Sequence, residues 1–503
     1  MLCANRSCNW LRWLAMTPNR LPLLALPVMI GQEFKAWWYL LIVAGSSVFK
    51  NGFSWWAVLS IGAALLFIIG LAAVRYWRFS YLIDDTAVTI NSGLFVKKVR
   101  HIPYPNIQTL SHQQWFFLQP FGLETLNIET SSKDGKEGAG TLYAVSTSVG
   151  QLIEAHRHHQ PLSVTEPSET QLDESATPTF DARYQISARD LNLYAATSMG
   201  FLAILAALGW LWNKLDDVIP KTWQQNAFDQ LAHLAVLVLV VFGILFLAVA
   251  VLISYLNLLQ RYYHFTLTKQ AHTLTATRGF FKRLEVSVRI SRIQAVRMRQ
   301  SLLRHWLHLT TIQALLASNA ADEEKDNDLV LLPVIKADQA LTRMHHFVDW
   351  VPATTPDFIR VPRTNHWYYV RNWLLWNLLF VAIISFVVGH FWPQWLLWTM
   401  VLSALWVLIQ SLQGWYAAKN AGVSIIYAHT LLVQNGSLWN LTQYVVRRQN
   451  IQALSLNQSI WMTRKHIAHL ELHIRRGDGN ESVEVRYLKA ETVEKILDWY
   501  QQR

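Results

Sequence analysis

Charge is scarce in this chain, and acidic residues are missing from the interiors of its long apolar runs. Only 15% of the 503 residues are Asp, Glu, Lys or Arg, while 52% are hydrophobic. Soluble domains carry roughly 25% charged residues, so part of this chain is covered by lipid. The missing acids exclude the buried carboxylates of proton relays and sodium sites, which argues against an ion-coupled transporter. Cysteine is nearly absent as well. The two copies, Cys3 and Cys8, supply neither a disulfide framework nor a metal quartet. No Walker A loop, HExxH or GxSxG motif occurs. Ser47-Val-Phe-Lys50 fits S-x-x-K, but so short a pattern at the end of an apolar run carries no catalytic argument. His156, His158 and His159 open a polar linker and read as a solvated tail, not a metal site. These gaps predict a protein that is not an enzyme and uses no cofactor and no metal.

What is present is apolar length. A membrane helix needs about 20 mostly apolar residues. Six stretches approach that: residues 34–49, 55–74, 191–212, 232–256, 373–392 and 395–412. Pro393 and Gln394 part the last two into a tight helical hairpin. Trp37, Trp38, Trp55, Trp56, Trp373, Trp392 and Trp395 lie near run ends, where tryptophan favours the membrane–water interface. The hairpin loops are poor in basic residues, with only Lys50, then Lys214 and Lys221, then none. The other side carries Arg75, Arg78, Arg261, Arg360, Arg363, Arg371 and Lys419. This asymmetry predicts cytoplasmic termini and three large cytoplasmic segments. The start, with Arg6, Arg12, Arg20 and LPLLALPVMI, lacks a small-residue cleavage site and reads as a cytoplasmic or interfacial lead-in.

The large segments repeat one another. Each has an alternating strand, a turn glycine, a basic strand, an Ile-Gln pair and a second glutamine six residues after the first. The glycines are Gly93, Gly279 and Gly436; the pairs are Ile107-Gln108, Ile293-Gln294 and Ile451-Gln452; the later glutamines are Gln114, Gln300 and Gln458. Glycine-to-glutamine spacing is 15 in the first two copies (108−93, 294−279) and 16 in the third (452−436). The third copy therefore holds one extra residue in a turn or bulge. The glycines are expected to supply positive φ in a hairpin turn. The isoleucines are expected in the core, with the glutamines bonding a turn backbone. Each copy continues with strands around a polar turn and ends in an amphipathic helix, as in Val493, Ile496, Leu497 and Tyr500. Residues 157–183, rich in Ser, Thr, Pro and Glu, read as a disordered linker, and residues 351–366 as a shorter one.

This grammar resembles the bacterial pleckstrin-homology-like (PH-like) domain, in the membrane family that carries three such domains on paired spans. The G-x-F motif stands at Gly93-Leu94-Phe95 and Gly279-Phe280-Phe281; the third copy has Gly436-Ser437-Leu438 and rests on Ile451-Gln452. The resemblance implies β-sandwich or barrel domains, each closed by a C-terminal helix, in a bacterial plasma membrane. It also implies a smaller partner membrane protein with one such domain, and a role in envelope stress or protection against membrane-active peptides. The expected organisation is membrane α-helical, six spans as three hairpins, plus three cytoplasmic domains. Its boundaries are an N-terminus at 1–33, hairpins at 34–74, 184–260 and 367–413, domains at 75–156, 261–350 and 414–503, and linkers at 157–183 and 351–366.

The best binding candidates are basic. They are Lys97, Lys98 and Arg100 in the first domain, Lys282, Arg283, Arg289, Arg292, Arg297 and Arg299 in the second, and Arg447 and Arg448 in the third. Arg297 and Arg299 share a strand face across Met298. Beside a bilayer, each Lys or Arg is worth about 1 kcal/mol toward anionic lipid. Tethering and the lack of a recognition motif exclude nucleic acid as the partner. Ala196 with Gly200, and Ala203 with Ala207, have the spacing that lets helices pack closely, within the chain or in an oligomer. The function expected is that of a scaffold whose domains contact the inner leaflet or a partner membrane protein. The alternative is a transporter or export component for membrane-active compounds.

Overall fold

A long apolar helix and an alternating strand need different surroundings, and this chain supplies both in one recurring order. The computed structural model describes residues 19–51, 55–94, 96–130, 140–158, 180–198, 200, 204–206, 209, 235–317, 328–426, 428–437, 439–477 and 479–502. Among these, four helices are long and apolar enough to cross a membrane: Val58–Arg78, Val241–Tyr262, Arg363–Phe391 and Pro393–Asn420. Only 11%, 11%, 0% and 0% of their apolar windows is buried within the protein, so lipid must take the rest from water. They fall in α2 (Trp55–Arg78), α5 (Ala235–Tyr262), α8 (His366–Phe391) and α9 (Leu396–Asn420). Trp392 breaks α8, and a 3-10 turn over Pro393–Trp395 starts α9, giving the expected hairpin.

Four of the six expected spans are thus found among the described residues. The first expected run lies in α1 (Ala25–Asn51), but α1 begins inside a domain. Leu21, Ala25 and Met29 are buried in the first domain's core, and Glu33 is buried against Arg75 at 2.7 Å. Residues 19–33 thus belong to that domain instead of preceding it. Most of the third run lies outside the described residues. Its start, α4 (Ala188–Ala196), is capped by the Ser187 side chain accepting the Asp190 amide, and ends at Thr197.

The first domain has strands β1 (Ser80–Ile83), β2 (Ala87–Ser92) and β3 (Lys98–Pro103) in one antiparallel sheet. Strands β4 (Ile107–Trp115), β5 (Leu123–Thr130) and β6 (Gly140–Ser146) follow, and α3 (Thr147–His158) closes the domain. Ile90 and Ile102 of the first sheet share a core with Leu110, Leu126, Leu142 and Ile153. The third domain repeats the plan with β15 (Gly422–Ile426), β16 (Thr430–Ser437), β17 (Asn440–Arg447), β18 (Ile451–Asn457), β19 (Ile467–Arg476), β20 (Gly479–Lys489) and α11 (Ala490–Gln501). Val493, Ile496 and Trp499 of α11 are buried.

The chain falls into two compact units: Met1–Thr179, Gln185–Thr266 and Thr275–Val288 in one, Phe180–Tyr184, Leu267–Leu274 and Arg289–Arg503 in the other. The second domain contributes to both. In the first unit its strand β10 (Lys282–Arg289), with β9 (Thr273–Arg278), extends the first domain's sheet in the order β6-β5-β4-β10-β9. In the second unit its strands β11 (Ile293–Gln300), β12 (Leu309–Leu316) and β13 (Asp328–Lys336) are extended by the third domain, in the order β13-β12-β11-β17-β16-β15. The second half-sheet of one domain is continued by the first half-sheet of the next.

The repeated Ile-Gln pair marks a β-bulge. Each pair follows a 3-10 turn, at Tyr104–Asn106, Ile290–Arg292 and Arg448–Asn450. At each glutamine the ladder to the next strand slips by one residue, between Ile107 and Thr109, Ile293 and Ala295, and Ile451 and Ala453. The three isoleucines are buried. Gln294 donates to the Arg292 carbonyl at 3.2 Å. Among the later glutamines, Gln114 donates to Leu123 at 3.3 Å and Gln458 to Ile467 at 2.9 Å, each across the following turn.

In each copy a short segment ahead of the long apolar helices also returns to the first strand after them. Asn19 and Tyr81 exchange backbone bonds of 2.9 and 3.1 Å. Beside β7 (Ala182–Gln185) and β8 (Thr266–Gln270), Ile186 donates to Phe265 and Asp181 to Lys269, both at 3.0 Å. Strand β14 (Ile359–Arg360) pairs with β15. The expected linkers therefore end in short strands; residues 159–179 lie outside the described residues.

Candidate membrane-facing site

The site is built on the hairpin turns after the repeat glycines. Gly93 and Gly279 take φ of +122° and +109°. A Cβ there would lie 1.9 Å from the Val96 carbonyl oxygen and 2.0 Å from that of Lys282, so only glycine fits. Gly436 departs from expectation. It sits within β16 without positive φ, and a Cβ would come 3.0 Å from Ala417 of α9. Trp439, in the turn between β16 and β17, takes the positive φ of +62° instead. Each hairpin is fastened to the end of the preceding membrane helix. Arg78 donates to the Leu94 carbonyl. The Gly279 and Phe280 amides donate to Tyr263 and Gln260, both at 3.0 Å. Gln434 donates to Asn420 at 2.8 Å.

Large apolar side chains stand exposed beside these span ends. Phe280 and Phe281 pack edge-on at 5.0 Å, and Phe116 lies 6.1 Å from Phe281. All three are exposed, as is Phe121. The Lys282 ammonium lies 5.4 Å from the Trp115 ring. In the later domains the matching turn is a short helix, α6 (Leu302–Trp306) or α10 (Ile460–Arg464). Trp306 is 77% exposed and Ile460 82%. Arg371, at the start of α8, stacks on Tyr368 and Trp461 at 5.1 and 5.0 Å. Apolar groups of this size beside cations suit the head-group zone. Basic residues alone pointed to part of this site. The interleaved aromatics of residues 115–117 and 280–283 were the further signal.

The basic candidates divide. Lys97, Lys98, Arg283 and Arg299 are exposed; Arg100, Lys282, Arg289, Arg292, Arg447 and Arg448 are half-buried. Arg447 and Arg448 lie over the Trp350 and Trp499 rings, at 5.1 and 5.8 Å. Arg297 corrects the expectation of a shared basic face with Arg299. It is buried, ion-paired with Asp328, and donates to Gln313 at 2.7 Å. Phe95, Leu438, Cys3, Cys8, His159, Ala203 and Ala207 lie outside the described residues, as do the side chains of Ser47 and Lys50.

The bacterial PH domain family matches residues 26–157, 188–347 and 378–503, all three copies of the repeat. This chain belongs to that family. It is similar to the UPF0699 transmembrane protein YdbT of Bacillus subtilis (strain 168), being 24% identical over 468 residues, 88% of this chain and 89% of that protein. No solved structure matches. Each matched region begins within or just before a helix ahead of its strands, at residues 26, 188 and 378. The family unit thus includes membrane-side helix as well as sheet, and the chain is a transmembrane protein with repeated bacterial PH domains.

Where the first two PH domains join, a titratable cluster bridges the ladder. His112 faces Glu285 across β4 and β10, and its Nδ1 lies 3.0 Å from Glu124. Burial pulls the imidazole down, but the Glu124 hydrogen bond and the charges of Glu124, Glu154 and Glu285 outweigh it, holding His112 above its ordinary 6.5. Burial, aided by Glu154 and opposed by His112, raises Glu285 above its ordinary 4.5. Both groups hold protons more tightly folded than unfolded, so the joint loses stability as pH rises. The His112 contribution is full below pH 6.5 and is lost as pH climbs through its raised folded value; the Glu285 penalty grows above 4.5. Amide exchange in β4 and β10, followed over about pH 5 to 8, is expected to speed up toward high pH beyond its intrinsic trend. His112→Gln should remove the upper part of that dependence.

Proposed function

We propose that this protein is a non-enzymatic membrane scaffold whose domains face the cytoplasm, with both termini on that side, and grip the inner leaflet through their hairpin tips. The observation that carries this reading is the recurrence, in each domain, of exposed apolar side chains beside a span end, with cations next to them. A soluble surface gains nothing from Trp306 or Ile460 in water, whereas the head-group zone takes both the rings and the charges. Each cation adds about 1 kcal/mol against anionic lipid. The basic hairpins, shared between lipid and a smaller membrane protein with a single domain of this kind, fit a role in protecting the envelope from membrane-active peptides.

The test uses the full chain in nanodiscs of graded anionic lipid content, read by amide exchange over residues 115–121 and 280–283. Protection should rise with anionic lipid, fall with salt, and vanish in a Phe280→Ser, Phe281→Ser, Lys282→Glu, Arg283→Glu variant. Protection indifferent to lipid and salt would assign the tips to a protein partner and end the leaflet reading.

A further inference from the structure

The two internal joints between domains use one register. In the first, Gln114 of β4 faces Arg283, ten residues before Ile293 (293−283). In the second, Gln300 of β11 faces Leu441, ten residues before Ile451 (451−441). Counted from the repeat signature, the joints superimpose residue for residue, although the side chains that meet differ: His112 with Glu285 in one, Met298 with Gln443 in the other. The signature bulge recurs at both joints, and the backbone ladder makes the joint.

Two edges of the same kind remain. Among the described residues no strand lies beyond β3 in the sheet β1-β2-β3, nor beyond β18 in the sheet β18-β19-β20. Strand β3 is the counterpart of β10 and β17; β18 is the counterpart of β4 and β11. Their burial shows the difference. Leu110 and Val296 are fully buried where Leu454 of β18 is half-buried. Thr109 and Ala295 are buried where Ala453 is exposed. On the other edge, Ser287 and Val445 are buried where His101 is exposed, and Val99 is 50% exposed.

We propose that β18 of one molecule pairs with β3 of a second copy of this chain, in the register of the internal joints. That register sets Leu456 opposite Val99, Ser455 opposite Arg100 and Leu454 opposite His101. Charge fits the pairing. In the terminal sheet Ser455 stands beside Glu471, and Glu471 beside Glu484, so Arg100 enters a row that already carries two acids. Each copy offers one edge of each kind, so the contact is heterologous and propagates head to tail until a ring closes or a filament forms. The joint so formed is the same antiparallel backbone ladder that the two internal joints use.

The experiment uses the full chain with Cys3 and Cys8 changed to Ser, in two differently tagged forms made in the same cell. One carries Val99→Cys and the other Leu456→Cys. A single chain with Met298→Cys and Gln443→Cys, the equivalent internal pair, calibrates the geometry. The expected result is an oxidative or short-reagent cross-link between the two tags, absent when either single-cysteine form is alone or when Leu454→Cys replaces Leu456→Cys. Failure of that link while the internal control closes would overturn the proposal and leave Lys97, Lys98 and Arg100 as guards of an idle edge. A link that forms only when both cysteines are in one chain would overturn it too, in favour of closure within a molecule.

Discussion

Asp328→Ala is expected to cost about 3–5 kcal/mol and to free the third domain from β11–β13 first. The Asp328 carboxylate is fully buried and accepts from Arg297 and from Arg476, the latter at 2.9 and 3.1 Å. Arg297 approaches Glu481 at 3.6 Å, and Arg476 meets it at 2.8 Å. The Tyr444 hydroxyl, pushed up to about 12 by burial and by the Glu481 charge, stays protonated and donates to Glu481 at 2.9 Å. These groups come from β11, β13, β17, β19 and β20, so one network ties two domains. Removing the acid leaves Arg297 buried without its main counter-charge. Urea unfolding in detergent measures the cost, and limited proteolysis shows which part opens. Replacing the pair together, Arg297→Met with Asp328→Leu, should recover much of the loss, since apolar side chains fill such a site without a desolvation penalty. A wild-type midpoint for Asp328→Ala would mean that the network adds nothing.

Gly279→Val should cost about 3 kcal/mol, because a φ of +109° and a carbonyl oxygen 2.0 Å from the new Cβ are both intolerable. The damage is expected at the β9–β10 tip, where the bonds to Tyr263 and Gln260 hold the hairpin to α5. Fast amide exchange at Phe280 and Phe281, with slow exchange kept in β12, would show it; an unchanged tip would refute the geometric argument. Gly436→Ala should fail differently. Its backbone is ordinary, so the penalty is overpacking against Ala417, about 1–3 kcal/mol, felt where β16 meets α9.

The repeat was legible because its parts are local. A turn glycine, a bulge glutamine and a core isoleucine each answer to a few neighbouring residues, so Gly93, Gln108 and Ile107 reappear at fixed spacing as Gly279, Gln294 and Ile293. The joints between domains were not legible. Strand β10 reads as one strand of its own domain, and nothing in Lys282–Arg289 says that its other edge meets β4. Arg297 misled for a related reason. Period-2 alternation puts it on a face with Arg299, but Asp328 and Arg476, distant in sequence, turn its position into an interior. The strand clamps were missed because two to four residues, such as Ile359–Arg360, carry no periodicity. In the lead-in, Leu21, Ala25 and Met29 read equally well as a membrane approach or as a core stripe, and the structure packs them in the first domain's core.

The sharing of sheets between successive domains bears on how the chain is made. Synthesis runs from the N-terminus, so β4 is finished long before β10 exists: Lys282 follows Trp115 by 167 residues (282−115). At about 5–20 residues per second, that edge waits roughly ten to thirty seconds, while the ribosome delivers the long apolar helix α5 to the membrane. The first domain cannot complete its outer ladder until α5 has been made and β10 has emerged. Insertion and folding are therefore interlocked, and a nascent chain stalled between β4 and β10 exposes a strand edge that the finished protein covers, a ready signal for a protease or chaperone stationed at the membrane.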